Sequence, residues 1–280
     1  MHILVATDLS ARSDRAIARG ALLARQHRAR LTVATVVDSD IPAELHAHAV
    51  EWSKGALARH VGSGSGSGVE AALAVLEGKP AERIAHFAAA GSVDLIVLGV
   101  GRRSKRLARG TALSVVRSTL HPVLITLNSA ERSYCSIVVG TDLSARARAA
   151  IRQAFAFAPG GTYHLVHAYH RPFPGYLSGD ASVNEFAYAE RQQLDSFLES
   201  EMDELDRRGQ EMGVRAEHLH SCLREGDAVD VLRAECARVS ADLLVVASSP
   251  STRLTRAFHD SVAERLLAEP PTDVLVARPF

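Results

Sequence analysis

Residues 5–17, Val5-Ala6-Thr7-Asp8-Leu9-Ser10-Ala11-Arg12-Ser13-Asp14-Arg15-Ala16-Ile17, are written a second time at residues 139–151, as Val139-Gly140-Thr141-Asp142-Leu143-Ser144-Ala145-Arg146-Ala147-Arg148-Ala149-Ala150-Ile151. In both places a short apolar run ends in Thr-Asp-Leu-Ser and passes into a helical stretch. A second anchor follows in each half. Leu76-Glu77-Gly78 and Asp94-Leu95-Ile96-Val97-Leu98 are answered by Arg224-Glu225-Gly226 and Asp242-Leu243-Leu244-Val245-Val246. The offset between copies grows from 134 to 148, so the second copy carries an insertion of 14 residues. Its expected site is the turn-forming stretch Arg171-Pro172-Phe173-Pro174-Gly175-Tyr176-Leu177-Ser178-Gly179. Two anchors in the same order, separated by one insertion, make the chain a tandem repeat.

Each copy alternates short apolar runs with longer amphipathic stretches. Strands are predicted at 2–7, 30–37, 69–76, 94–99 and 122–127, with helices at 13–28, 43–60, 80–90 and 111–120. The second copy gives strands at 135–141, 162–168, 215–222, 242–247 and 272–277, and helices at 145–157, 184–211, 227–239 and 261–268. Uninterrupted runs such as Leu95-Ile96-Val97-Leu98 suit strands buried on both faces, and the βαβα alternation implies a parallel sheet covered by helices. The expected fold is α/β: two flavodoxin-like domains, each a five-stranded parallel sheet. Domain 1 spans 1–128 and domain 2 spans 133–280, with the boundary in the polar stretch Asn128-Ser129-Ala130-Glu131-Arg132. Gly62-Ser63-Gly64-Ser65-Gly66-Ser67-Gly68 falls inside the first copy and reads as a surface loop.

Composition narrows the function classes. Of 280 residues, 47% are apolar and 23% charged, the profile of a globular protein with a core. Lysine plus arginine equals aspartate plus glutamate at 32 each, so no global field draws nucleic acid or an anionic membrane. The first residues reach Asp8 too early for a secretory signal, and no run has the length of a membrane span. Cys135, Cys222 and Cys236 show no CxxC spacing and read as free thiols of a reducing cytosol. A cytoplasmic location is the expectation.

In an open parallel sheet, ligands bind beyond the carboxyl ends of the strands where strand order reverses. Two segments of the first copy end strands there. In Thr7-Asp8-Leu9-Ser10 the carboxylate can accept hydrogen bonds from ribose hydroxyls or a base amine; alternatively, Asp and Ser cap the helix that follows. The second segment is Gly99-Val100-Gly101-Arg102-Arg103-Ser104-Lys105-Arg106-Leu107-Ala108-Arg109-Gly110-Thr111. Its glycines let backbone amides approach a phosphate, and Gly110-Thr111 opens a helix whose unpaired N–H groups attract anions. Five of the eight residues 102–109 are Arg or Lys. Neither a Walker A loop nor a dinucleotide fingerprint is present.

In the second copy the matching segment, Ala247 to Ser261, lacks the glycines. Asp260 sets a negative charge at the helix start, and Ser261 with Glu264 spells a capping box. The first copy has Thr111 and Ser114 at those positions, leaving its helix amides available.

Both halves resemble the universal stress protein family. The resemblance rests on the Asp after the first strand, the turn Gly78-Lys79-Pro80, the strand Asp94-Leu95-Ile96-Val97-Leu98-Gly99 and the final strands Pro122-Val123-Leu124-Ile125 and Asp273-Val274-Leu275-Val276. Nucleotide-binding members carry G-x2-G-x9-G-[S/T] around the phosphates of ATP. The first copy keeps Gly99, Gly110 and Thr111, but its middle glycine moves to Gly101 and the loop is about two residues short. The second keeps the spacing with Ala247, Pro250, Asp260 and Ser261, retaining only the last hydroxyl. The resemblance implies a nucleotide site formed by Thr7, Asp8, Leu9, Val37, Gly99, Gly101, Arg102, Gly110, Thr111 and Ala112. Asp8 would meet ribose or adenine, and the segment from Gly99 to Thr111 would meet phosphates. The degenerate counterpart comprises Asp142, Ala247, Pro250, Asp260 and Ser261. ATP or AMP is the implied ligand, with Mg accompanying ATP.

His164, His167 and His170 recur in a strand-like stretch, but alternation puts His167 on the face opposite the other two, so no metal site is expected. His46 and His48 do not share a helix face. No GxSxG, Cys/His or HExxH constellation appears, so no catalytic residue is assigned. The resulting expectation is a stress-response protein that binds adenine nucleotide in its first domain and acts by interaction. A nucleotide-free scaffold and a weak ATPase are the alternatives. The family also implies an internal pseudo-dimer meeting through strands 122–127 and 272–278, and a homodimer beyond it.

Overall fold

Ile3, Leu4 and Val5, with Leu95, Ile96 and Val97, are wholly buried, as continuous apolar runs in a two-faced sheet must be. The structure is a computed structural model that describes residues 1–10, 13–63, 69–100, 110–170, 180–207, 218–248 and 261–278. The first repeat runs β1 (His2–Ala6), α1 (Asp14–His27), β2 (Arg30–Val37), α2 (Ala43–Ser63), β3 (Ala71–Glu77), α3 (Pro80–Ala90), β4 (Leu95–Gly99), α4 (Thr111–Ser118) and β5 (Val123–Thr126). The second runs β6 (Ser136–Thr141), α5 (Ala145–Phe157), β7 (Thr162–Tyr169), α6 (Asp180–Arg207), β8 (Leu219–Glu225), α7 (Ala228–Arg238), β9 (Leu243–Ala247), α8 (Val262–Ala268) and β10 (Asp273–Ala277).

The chain divides into two compact units. Unit 1 holds residues 1–133 together with 248–278, so α8 and β10 of the second repeat count with the first. Its strands follow the order β3-β2-β1-β4-β5, all parallel, and β10 then pairs antiparallel with β5 through Val274↔Ile125 and Val276↔Val123. This is the meeting of final strands that the family resemblance implied. Strand order reverses at β1, which β2 and β4 flank, making its carboxyl end the switch point. Unit 2 holds 134–247, with β9-β6-β7-β8 all parallel.

The repeated residues do repeated work. Asp94 accepts the N–H of His2 at 2.6 Å, stapling the start of β1 to β4. Asp242 does the same in unit 2, accepting Cys135 N–H at 2.9 Å and Ser136 N–H at 3.1 Å. Gly78 and Gly226 turn with φ of +125° and +140°, a conformation that a side chain opposes, and donate to the carbonyls of Val37 (2.9 Å) and Tyr169 (3.0 Å). Gly20 serves packing instead: a β-carbon there would collide with Val5, so its absence brings α1 onto β1.

Element boundaries differ from the sequence reading in three places. Helix α2 continues through Gly62 and Ser63, so the Gly/Ser stretch is helical at its start, and 64–68 lie outside the described residues. Helix α6 begins at Asp180, four residues before the predicted start, while the insertion at 171–179 lies outside the described residues. Strand β8 occupies 219–225 where 215–222 was expected. It is an edge strand with mixed burial, so pairing with β7 (Tyr163↔Leu219 to Tyr169↔Glu225) fixes its limits, and apolarity does not. Among the described residues no helix is long and apolar enough to cross a membrane.

Candidate functional site

Thr7, buried beneath the carboxyl end of β1, accepts the N–H of Leu9 through its hydroxyl at 2.9 Å. This pins Leu9 in the left-handed region (φ +59°), which costs a non-glycine residue conformational energy. The turn brings Asp8 out of the sheet, where its Oδ1 accepts Ser10 N–H (3.0 Å), Ser10 Oγ–H (2.5 Å) and Ser13 Oγ–H (2.6 Å). The second repeat builds the same turn. Leu143 has φ +60°, Thr141 Oγ1 accepts its N–H at 3.1 Å, and Asp142 Oδ1 holds Ser144 N and Oγ at 3.1 and 2.5 Å. The Asp8 carboxylate is thus exposed at the end of β1, where its Oδ1 organises its own turn.

In unit 1 this turn borders a cleft of about 160 Å³ at the switch point, lined by Ala6, Thr7, Asp8, Ser13, Val36, Pro80, Ile84, Leu98, Gly99, Thr111 and Ala112. The walls are mostly aliphatic, and Asp8 is the one carboxylate among them. The N-terminal ends of α1, α3 and α4 all contribute residues to it: Ser13, then Pro80 and Ile84, then Thr111 and Ala112.

Those three helix ends share a second property. Their N-cap residues Ser13, Lys79 and Gly110 make no side-chain cap hydrogen bond. In α4 the first intrahelical bond is Ser114 N–H to Gly110 O at 3.2 Å, so the amides of the preceding turn have no intrahelical acceptor. The equivalent helices of the second repeat are all capped. Ser144 accepts from Ala147 N–H in α5, Asp227 from Val229 and Asp230 N–H in α7, and Ser261 from Glu264 N–H in α8. Lys79 stands at the head of α3 where Asp227 stands at the head of α7. Each cap is worth about 1 kcal/mol to its helix. Relative to the Gly110 that heads α4, a side-chain cap is worth only a few tenths of a kcal/mol, and the uncapped amides there leave partial positive charge at the cleft.

Most of the sequence-predicted set converges. Thr7, Asp8, Gly99, Thr111 and Ala112 line the cleft, Gly110 is the N-cap beside them, and Leu9 forms the turn. Val37 does not line it. Side chains alternate along β2, so its neighbour Val36 faces the cleft, while Val37 is buried and offers its carbonyl to Gly78. Gly101 and Arg102, with the rest of the basic loop, lie outside the described residues, as do Pro250 and Asp260. In the second repeat Asp142 sits in its turn, Ala247 ends β9, and Ser261 caps α8. The carboxylate of Glu264 receives a two-point bond from Arg117, at 2.8 Å on each oxygen. Sequence reasoning missed Ala6, Ser13, Val36, Pro80, Ile84 and Leu98. Their signal was available in the Gly78-Lys79-Pro80 turn and in strand alternation.

The histidines of β7 take separate partners. His164 stacks on His220 with centroids 5.2 Å apart, whereas His167 lies against Thr141 O (2.9 Å) and Glu190 (3.2 Å). Among the described residues no three His, Cys, Asp or Glu side chains are arranged to hold a metal.

The universal stress protein family model matches residues 1–126 and again 133–278. No curated protein matches the chain. Solved structures resemble it along nearly its whole length. A universal stress protein from Archaeoglobus fulgidus has a TM-score of 0.65 at 18% identity, covering 99% of this chain and 96% of that one. A Pseudomonas aeruginosa protein assigned to the same family has a TM-score of 0.63 at 21% identity, covering 99% and 93%. At these identities the likeness is one of fold, and the family match carries the assignment. Matched by that model in both halves, the chain belongs to the universal stress protein family as a tandem, two-repeat member.

Proposed function

We propose that this protein serves a cytoplasmic stress response by binding an adenine nucleotide, ATP or AMP, in the cleft of its first repeat, and that it acts through interaction and not turnover. The observation that carries this reading is the difference in helix capping. Among the described residues, the N-cap residues of three helices around one cleft in the first repeat make no side-chain cap hydrogen bond, and the three corresponding helices of the second are capped by their own side chains.

The donor set suits such a ligand. A purine needs an apolar slot, which Val36, Pro80 and Ile84 supply; ribose hydroxyls need an acceptor, which Asp8 supplies. Phosphate needs N–H donors and positive potential, and the start of α4 offers both. Bound ATP would bring Mg with it; among the described residues that line the cleft, Asp8 is the one carboxylate.

The test is mass spectrometry of nucleotide released from the purified protein, paired with melting temperature in added ATP or AMP. The expected result is co-purified adenine nucleotide, or a concentration-dependent rise in Tm that Asp8→Ala abolishes. A protein that releases no nucleotide and melts at the same temperature with and without ATP and AMP would overturn the reading.

A further inference from the structure

Ser13 separates the two copies of an otherwise identical turn. Asp8 and Asp142 each hold a Ser two residues on, Ser10 and Ser144, with matching distances. Only Asp8 has a third tie. The Ser13 hydroxyl, 4% exposed and part of the cleft wall, donates to Asp8 Oδ1 at 2.6 Å, and its oxygen lies 3.4 Å from the Asp8 N–H. The corresponding residue of the second repeat is Ala147, also buried. There the released geometry lets Ser144 cap α5 instead.

Three donors therefore converge on one carboxylate oxygen and restrict the rotation of the Asp8 carboxylate. A carboxylate oriented in this way meets a ligand's hydroxyl with part of the ordering cost already met. We infer that Ser13 is a positioning residue that holds the Asp8 carboxylate as the acceptor for the ribose hydroxyls of the bound nucleotide, an inference that rests on the nucleotide reading above.

The experiment compares the affinities of ATP and 2′,3′-dideoxy-ATP by calorimetry for the wild type, Ser13→Ala and Ser13→Thr. Ala is the residue the fold already accepts at this position in the second repeat, so Ser13→Ala is expected to fold, as its melting temperature will verify. The wild type should prefer ATP. Ser13→Ala should lower that preference by about tenfold, the worth of a hydrogen bond to a charged group, while leaving dideoxy-ATP affinity nearly unchanged. Ser13→Thr keeps the hydroxyl and should restore the preference. A merely structural role would weaken both ligands together, and that outcome overturns the inference. An unchanged preference in Ser13→Ala, or no preference in the wild type, overturns it equally. A wild type that binds neither compound removes the nucleotide reading itself, and this inference with it.

Discussion

Arg19 of α1 and Asp273 at the head of β10 form a buried ion pair: the guanidinium Nε lies 3.7 Å from the carboxylate, with side chains 4% and 0% exposed. Asp273 also accepts the N–H groups of Leu127 (2.8 Å) and Asn128 (2.9 Å), and Arg19 donates to the carbonyl of Arg132 at 2.8 Å. Within unit 1, one carboxylate thus joins the first helix, the segment after β5 and the final strand.

Removing the carboxylate strands a buried cation and two backbone donors together. Asp273→Ala should lower unfolding stability by about 3–5 kcal/mol, the usual penalty for breaking a buried pair from one side. Chemical denaturation followed by far-UV circular dichroism measures it. A loss below about 1 kcal/mol would show the pair to be as weak as an exposed one.

Gly110→Asp gives α4 the kind of cap that Asp227 gives α7. The N-cap backbone is extended (φ −88°, ψ 174°), so any residue fits it. Ligand-free stability should rise by a few tenths of a kcal/mol. The ATP-dependent rise in Tm should vanish, because the new side chain takes up the amides and adds a negative charge. A rise as large as the wild type's would mean that the phosphates sit elsewhere.

Acid should weaken unit 2 in two separate windows. Burial, with repulsion from His220, holds the His164 imidazole below its ordinary value of 6.5, against a smaller opposing pull from Glu235 and with Arg238 adding to the lowering. The folded chain therefore binds fewer protons than the unfolded chain below pH 6.5, and stability declines as pH falls through that region. Glu235 behaves as a depressed acid: its hydrogen bonds from Arg238 hold its carboxyl below 4.5, against the cost of burial. Its contribution is present above pH 4.5 and disappears as the pH falls through its lower folded value. Urea midpoints between pH 8 and pH 3 should show both steps, and His164→Gln should erase the first alone.

The three cysteines should differ sharply in reactivity. Burial pushes the Cys236 thiol up to about 12 and raises Cys222 as well, with Glu235 reinforcing both shifts, so neither holds much thiolate near pH 8. Cys135 is exposed. A thiol titration of the native protein should find one fast group, and denaturant should release the other two.

The sequence by itself determined the architecture. Two copies of Thr-Asp-Leu-Ser and two Asp-headed aliphatic strands can bury themselves only in parallel, helix-covered sheets, and those sheets are what form. It also exposed one asymmetry, because Ser261 and Glu264 spell a cap in local order that Thr111 and Ser114 do not. What only the tertiary structure decided is where distant segments meet. The N-terminal ends of α1, α3 and α4 meet at a single cleft, Val36 and not Val37 lines it, and Ser13 reaches across the turn to Asp8. The final helix and strand of the second repeat count with the first unit, held by Arg19, Leu127 and Asn128 on Asp273. Periodicity and caps are properties of neighbours in the chain and can be read along it. Which face a strand presents, and which residues separated by a hundred others share a carboxylate, depend on sheet register and packing, which no local pattern encodes.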